Sequence, residues 1–434
     1  MTRPTPPEAP TDLPDGFKMT ALGPLPAYWQ VVRLGEVAET KSGGTPDRKR
    51  DEYFGGQIPW VKSGELRDAA IEFTEESLTE LGLLNSSARI FPKGTLLVAM
   101  YGATTGKVGL LKINAATNQA VCAIFPHKEM SSEYLFYTFI RRRDELLTER
   151  YGGAQPNISQ TVLKNFPIPL PPLPEQRAIA HVLRAVQRAQ EASERVIAAL
   201  RELKRSLMRH LSTYGPVPLD RAAQVPLQET ELGPLPAHWR VVRLGEVVEI
   251  LDHIRIPLNE KERQRRKGIY PYCGANGILD FIDDYLFDGE FVLLAEDEGY
   301  WGACEQSAYI MQGKFWVNNH AHVLKGIPDK LDNWFLMHVL HWMDISMFIS
   351  GTTRGKLSQG VMRNLPIPLP PLSEQREIAR ILQAVDRGLA AEEAQVRAAQ
   401  ELFRSLLHQL MSARRQLPAS FVARVRQEEP RVSV

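Results

Sequence analysis

Cysteine is scarce in this chain, and no apolar run approaches the ~20 residues that a membrane-spanning helix needs. The three cysteines, Cys122, Cys273 and Cys304, show no CxxC spacing. That argues against a disulfide framework or a zinc knuckle and for a reducing cytoplasm. The Pro-rich, Arg-poor first residues have no signal-peptide core. Net charge is small as well, at +1, so the chain lacks the overall basicity of a protein that grips nucleic acid by charge alone. Compact basic runs remain at Arg48 to Arg50, Arg141 to Arg143 and Arg263 to Lys267, and the default for each is a solvated face. Catalytic signatures are missing too. There is no Asn/Asp-Pro-Pro-Tyr/Phe motif, no Gly-rich methyl-donor loop behind a strand, and no helicase motor.

What is present is a duplication. Leu22-Gly-Pro-Leu-Pro-Ala-Tyr-Trp29, continuing to Val37, returns as Leu232-Gly-Pro-Leu-Pro-Ala-His-Trp239, continuing to Val247. Asn165-Phe-Pro-Ile-Pro-Leu-Pro-Pro-Leu-Pro-Glu-Gln-Arg177 returns as Asn364-Leu-Pro-Ile-Pro-Leu-Pro-Pro-Leu-Ser-Glu-Gln-Arg376. The offsets are 232 − 22 = 210 and 364 − 165 = 199, and the stretches between the markers hardly match. A frame is repeated while each copy carries its own insert. At 434 residues the chain divides into halves of about 200, each long enough to bury a core.

Residues 1–17, rich in Pro, Thr and acidic side chains, read as a disordered leader. Val31 to Val37 alternates as a strand, or a strand entering a helix. Residues 40–160 give short apolar runs broken by Gly, Pro and Asn, the pattern of an irregular sheet, with one helix over Ser132 to Tyr151. Residues 250–360 are strand-and-turn material with a helix near Asn333 to Phe348. Phe166 to Pro174 is expected to be an extended strap, because proline lacks the amide hydrogen and fixes φ.

From Glu175 to about Ser212 neither Pro nor Gly occurs, and apolar residues recur three and four apart. Ile179, Leu183, Val186, Ile197, Leu200 and Leu207 form the seam, and Ile378, Leu382, Val385, Leu389, Val396, Phe403 and Leu406 repeat it. Val182, Ala189, Val196 and Leu203 fall on the first stripe, and Ala399 and Leu410 on the second. Helices of roughly 36 residues, ~54 Å long, must cover such stripes. An antiparallel pair, coiled-coil-like, is the expected cover; separate packing on each domain is the alternative.

These features resemble the specificity (S) subunits of type I restriction–modification systems. The likeness runs over about residues 18–412 and rests on the Pro-Leu-Pro-Pro-Leu-Pro/Ser-Glu-Gln straps and the Gly-x-x-Pro-x-x-Trp openings. In the first insert it adds Ser42-Gly-Gly-Thr-Pro46, Ile58-Pro-Trp-Val-Lys-Ser-Gly-Glu65, Tyr101-Gly-Ala-Thr-Thr-Gly-Lys107 and Ala116-Thr-Asn-Gln-Ala120. In the second it adds Tyr272-Cys-Gly-Ala-Asn-Gly277 and Phe315-Trp-Val-Asn-Asn-His-Ala-His322. The resemblance implies an α+β fold of pseudo-two-fold internal repeat, with two α/β target-recognition domains separated by an antiparallel helix pair. The domains would span 18–165 and 216–364, with straps and spacer helices at 166–215 and 365–412 and a tail at 413–434. It further implies a cytoplasmic, non-catalytic subunit that reads a bipartite double-stranded DNA site and binds no cofactor itself. Two adenine methyltransferase subunits using S-adenosylmethionine would dock on it, restriction/translocase subunits would join for cleavage, and no membrane is involved.

Candidate contacts follow from residue chemistry. Tyr101 to Val108 fails as a phosphate loop: three residues separate its glycines where four are needed, and Val108 stands at the magnesium-binding hydroxyl position. It reads either as a tight turn or as a loop whose Thr104, Thr105 and Lys107 meet DNA. Asn118 and Gln119 carry the paired donor and acceptor that suit adenine, or else satisfy local backbone. Lys41, Ser42, Gly43, Thr45 and Lys62 join them, as do Gln155 and Asn157 before the first strap. The second insert offers Tyr272, Asn276, Lys314, Asn318, Asn319 and His320, with Arg354 and Lys356 before the second strap. His320 and His322 share a strand face, but no third ligand is evident from the sequence, so no metal is expected. Two readings from other classes stand beside DNA recognition: a protein-binding scaffold whose two domains are spaced by a strut, and an enzyme using the Gly-rich loop.

Overall fold

The structure, a computed structural model, describes residues 13–148, 157–351 and 355–428. It divides into two compact units, residues 1–192 with 396–434 and residues 193–395. It is a mixed helix-and-sheet protein, and each unit rests on the repeated frame.

That frame recurs strand for strand in both units. A hairpin pairs Phe17–Thr20 with Gly23–Pro26 and, in the second unit, Leu227–Thr230 with Gly233–Pro236. Its turn needs a left-handed residue, and Gly23 (φ +88°) and Gly233 (φ +87°) supply it. Thr20 and Thr230 hydroxyls lock the turns, each donating to the glycine carbonyl at 2.7 Å. Phe17 already lies in this strand, so the expected leader ends before it; residues 1–12 lie outside the described residues.

Gln30–Arg33 forms the expected strand and runs into a one-turn helix, Leu34–Val37. The strand pairs antiparallel with Pro167–Leu170, and Arg240–Arg243 pairs with Pro366–Leu369. Alternating prolines fit because every second residue of such a strand faces away from its partner and needs no donor. The Pro167 carbonyl instead accepts from the Arg142 guanidinium. The extended strap ends earlier than expected: the long helix starts at Leu173 and takes in Pro174. A proline in the first helical turn gives up only an N–H that has no partner there.

The inserts differ. The first holds a five-stranded sheet in the order Ala38–Ser42, Val121–Pro126, Leu96–Ala99, Val108–Leu111, Ala69–Ile71. A second sheet of four strands runs Glu76–Leu78, Phe54–Val61, Ala115–Thr117, Ile90–Phe91. The other insert forms one six-stranded sheet, Val248–Ile250, Ala321–Gly326, Phe287–Ala295, Ala308–Val317, Lys267–Gly274, Gly277–Ile282. The helix expected over Ser132 to Tyr151 breaks at Arg142 into Ser132–Arg141 and Arg143–Thr148, and the one near Asn333 to Phe348 stops at Trp342.

The long helices are Leu173–Tyr214 and Leu372–Met411, 42 and 40 residues. Inside the first unit, Ile179, Ala180 and Leu183 from the start of the first helix share a core with Leu407, Leu410 and Met411 from the end of the second. Inside the second unit, Met208 and Leu211 share a core with Ile378, Ala379 and Leu382. Start meets end in each, so the pair is antiparallel. Ile197 and Val385 are also buried, while Val186, Leu200, Leu207, Leu389, Val396, Phe403 and Leu406 are half-buried. Val196 and Leu203, on the expected stripe, are 43% and 47% exposed. The neighbour of Leu203, Lys204, turns inward instead to Asp386 at 2.5 Å. A last helix, Ala419–Glu428, lies in the segment expected to be a tail.

Candidate nucleic-acid interface

In the first unit, four loops far apart in sequence are tied to one another at one end of the sheets. The parallel pairing of Ala116 with Trp60 and Thr117 with Val61 brings the Asn118 loop beside Lys62, and the Asn118 amide donates to the Val61 carbonyl at 3.0 Å. The Gly44 amide donates to the Thr117 carbonyl at 2.9 Å, and Thr45 pairs with Gln119 through their side chains. Gly43 is obligatory here, since a Cβ would sit 2.0 Å from the Thr117 carbonyl oxygen. Thr104 donates to the Ser63 carbonyl at 2.7 Å, which draws in the Tyr101–Lys107 loop. The chain before the strap closes the set: the Ile158 amide donates to the Met100 carbonyl at 2.7 Å, and Gln160 bridges Thr40 and Ser42. Exposed Asn157 borders it.

The exposed tips at this end are Lys41, Gln119 and Asn157, with Thr105 and Asn118 half-buried. The Asn118 side-chain carbonyl accepts from the Ala120 amide at 3.2 Å, so that oxygen serves the local backbone, whereas Gln119 projects. Gly43 is buried and shapes the loop without offering a contact. The lysines are held by carboxylates. Lys62 lies 2.8 Å from Glu76 and 3.0 Å from Glu75, hydrogen bonds that raise its pKa. Lys107 lies 2.9 Å from Asp68, which also takes Arg143, itself bonded to the Gly106 carbonyl at 3.0 Å.

In the second unit the Asn318–His320 loop meets the segment before the second strap. His320 Nδ1 lies 2.7 Å from Asp297, and Asp297 is bridged to Lys356. Beneath them is a buried charge cluster. His322 Nδ1 lies 2.6 Å from Asp252 and its Nε2 lies 2.7 Å from the Leu357 carbonyl. Arg255 binds Glu296 at 2.7 Å, and Lys356 binds it at 2.9 Å. Burial pushes the Asp252 and Glu296 carboxyls up, but these partners hold both below their ordinary values.

Asp252, Glu296 and His322 place ligand atoms within 4.8 Å of one another, a trio the sequence pattern did not reveal because 70 residues separate Asp252 from His322. Arg255 and Lys356 already balance the two carboxylates without an ion. The partner of His322 is thus this cluster rather than His320.

Some candidates fall elsewhere. Tyr272 is 1% exposed and its hydroxyl accepts from the Leu258 amide at 2.8 Å, so it belongs to the core. Asn318 is 4% exposed, its side-chain carbonyl accepting from the His320 amide at 2.8 Å. Asn319 is exposed, as is Asn276, which donates to the Glu298 carbonyl at 2.9 Å. Lys314 sits over the Tyr285 ring, 4.5 Å from its centre. Gln155 and Arg354 lie outside the described residues. Sequence reasoning missed Asp68, Arg143, Asp252, Arg255, Glu296 and Gln160, which hold the loops rather than tip them. No spacing signals such residues, because their partners are distant in the chain.

Among the described residues, no helix is long and apolar enough to cross a membrane. Comparison with known proteins agrees with the frame and its inserts. The family model for the type I restriction modification DNA specificity domain matches residues 26–202 and 236–399. Over 417 residues the chain is 26% identical to the type I restriction enzyme MjaIX specificity subunit of Methanocaldococcus jannaschii, covering 91% of this chain and 95% of that one. Over 145 residues it is 44% identical to a putative type I restriction enzyme specificity subunit of Haemophilus influenzae, a match spanning 33% of this chain and 36% of that protein. Among solved structures, the type I restriction–modification S subunit from M. genitalium shares the fold, with a TM-score of 0.65, 16% identity, and coverage of 88% and 96%. With two family-model matches covering most of its length, the chain belongs to the type I restriction–modification DNA specificity family.

Proposed function

We propose that this chain is the sequence-reading subunit of a type I restriction–modification complex, in which each insert reads one half of a bipartite duplex site. The observation that carries this is the tying of four sequence-distant loops into one end of the first insert, topped by Gln119 and Thr45, upon a frame repeated beneath an unlike second insert. A side-chain amide held by a neighbouring hydroxyl can present its paired donor and acceptor to a base edge. Lys107, Lys62 and Lys41 suit phosphate oxygens, which fix register without reading sequence. In the second insert, His320, Asn319 and Lys356 take the matching roles. Among the described residues nothing in either loop set pairs a nucleophile with a base, and the chemistry is assigned to partners: two adenine methyltransferase subunits carrying S-adenosylmethionine, with restriction subunits for cleavage. Family membership favours this over a protein-binding scaffold.

Exchange of residues 40–160 for the insert of another family member is the decisive experiment. Mapping of methylated adenines in cells carrying the hybrid complex should show one half-site changed and the other unchanged. A hybrid that methylates the original site, or none while still assembling, sinks the reading. At finer grain, Gln119→Ala should cost about 1–3 kcal/mol of binding at one base pair. Lys107→Ala should weaken all sequences alike and lower the salt slope by about 1.

A further inference from the structure

We propose that the first unit carries a second anion site, a phosphate-binding groove at the opposite end of its five-stranded sheet from the loops that face the base edges. The sheet register defines the two ends. Ser42 lies opposite Cys122, and Val121 opposite Ala99, so Ser42, Met100 and the Asn118 loop share one end. Ala38 lies opposite Pro126, and Leu110 opposite Leu96, so Gly94, Lys112 and His127 share the other.

At that other end is a groove of about 650 Å³. Five cations line it: Lys93, Lys112, Lys128, Arg177 and Arg184. Among the described residues its one lining carboxylate, Glu133, is shared between Arg184 and Lys112, at 2.5 and 4.0 Å. Lys93 and Lys128, exposed at the rim, have no acidic partner among the described residues. His127 and His181 also border it, and the first turn of the helix Ser132–Arg141 opens there with its partial positive charge. In a chain whose net charge is +1, such a concentration is local and selective.

The frame does not require it. In the second unit the Ile327 amide bonds the Val247 carbonyl as the His127 amide bonds that of Val37, so Pro328 stands where Lys128 does. By strand register Gln312 stands where Lys112 does, and seven residues beyond the repeated Arg177 and Arg376, Gln383 replaces Arg184. There Glu290 enters the space and accepts from Trp334 at 3.0 Å and Gln312 at 2.8 Å. The same architecture thus closes with a carboxylate in one unit and stays open and cationic in the other. Planar guanidinium forks beside ammonium groups, around a concave space, match phosphoryl oxygens. The ligand class is a phosphorylated compound of nucleotide size or the phosphate backbone of a duplex.

Calorimetric titration of the full chain with inorganic pyrophosphate and with ATP, at low and physiological ionic strength, tests this. Saturable binding is expected, weakened about tenfold in the Lys93→Gln/Lys128→Gln double variant and unchanged in Gln119→Ala. Competition with a duplex of unrelated sequence then separates the sources. Displacement of ATP assigns the groove to backbone phosphates, and indifference assigns it to a free phosphorylated compound. Absence of saturable binding by the parent chain, or equal affinity in the double variant, overturns the site. Either result leaves base reading at the opposite end untouched, because that reading rests on different residues.

Discussion

At equivalent places on the helix seam the two units put different chemistry on a repeated frame. In the first unit Tyr137, 3% exposed, donates to Gln187 at 2.6 Å and leans on the Phe403 ring, 6.1 Å between centres. Moving along the repeat by 199 residues in the helices turns Gln187 into Asp386 and Lys204 into Phe403, and the residue matching Tyr137 is His338. The second unit therefore holds a Lys204–Asp386 ion pair at 2.5 Å beside a buried histidine whose two ring nitrogens have no hydrogen-bond partner. Burial depresses the His338 pKa to about 3, so the ring is neutral at pH 7, and its 4.0 Å approach to Asp386 is not an ion pair. Duplication preserved the frame, and each interior then found its own way to fill the same hole.

The largest expected effect tests whether the frame is equally important in both copies. Trp29 (0% exposed) donates from its indole to Glu175 at 3.2 Å, and Trp239 (2% exposed) to Glu374 at 2.9 Å. Gln176 and Gln375 make parallel contacts, each accepting an amide at 2.9 Å and donating to two carbonyls of the neighbouring turns. Trp29→Ala and Trp239→Ala should each cost about 3–5 kcal/mol in chemical unfolding. A difference between them of more than about 2 kcal/mol would break the equivalence.

Acid separates the units. The unfolded chain takes up a proton on His338 below about pH 6.5, while the folded chain refuses it until about pH 3, so stability falls as pH drops through that window. His341, buried nearby, is depressed in the same direction. Between pH 7 and pH 5 the His338 contribution amounts to about 2 kcal/mol. The variant His338→Tyr, which installs the side chain of the first unit, should remove that part of the pH slope. Urea midpoints at the two pH values decide it, and an unaltered slope would show that the depressed histidine does not drive acid lability.

How much of this could be read in the sequence depended on range. The frame was legible because local rules wrote it: Gly at the turns, prolines on alternate strand positions, and three-and-four spacing along the helices. Even there the strap gave way to helix two residues early, since Pro174 is tolerated in a first turn. Loop tips such as Gln119 and His320 were legible as chemistry. Asp68, Asp252 and Glu296 were not, because a carboxylate 39 residues from Lys107 or 70 from His322 leaves no pattern until the sheet brings them together. Tyr272 and Asn318 misled for the opposite reason: polar groups beside a motif can equally be buried and satisfied by backbone.

The smallest effect bears on why the second unit keeps charge where the first keeps rings. Lys204 and Asp386 have side chains 20% and 34% exposed, so water still reaches them and their coupling in a double-mutant cycle should be at most about 1 kcal/mol. The neighbouring Arg201–Glu393 pair, at 2.9 Å with 62% and 40% exposure, should give less. Removing one partner is worse than removing both, because a lone half-buried charge remains beside a neutral His338. Lys204→Phe combined with Asp386→Gln, the pair of the first unit, should therefore match or exceed the parent in urea unfolding. Loss of more than about 1 kcal/mol would mean that the ion pair, weak as it is, holds a register on this stretch of seam that aromatic packing holds on the other.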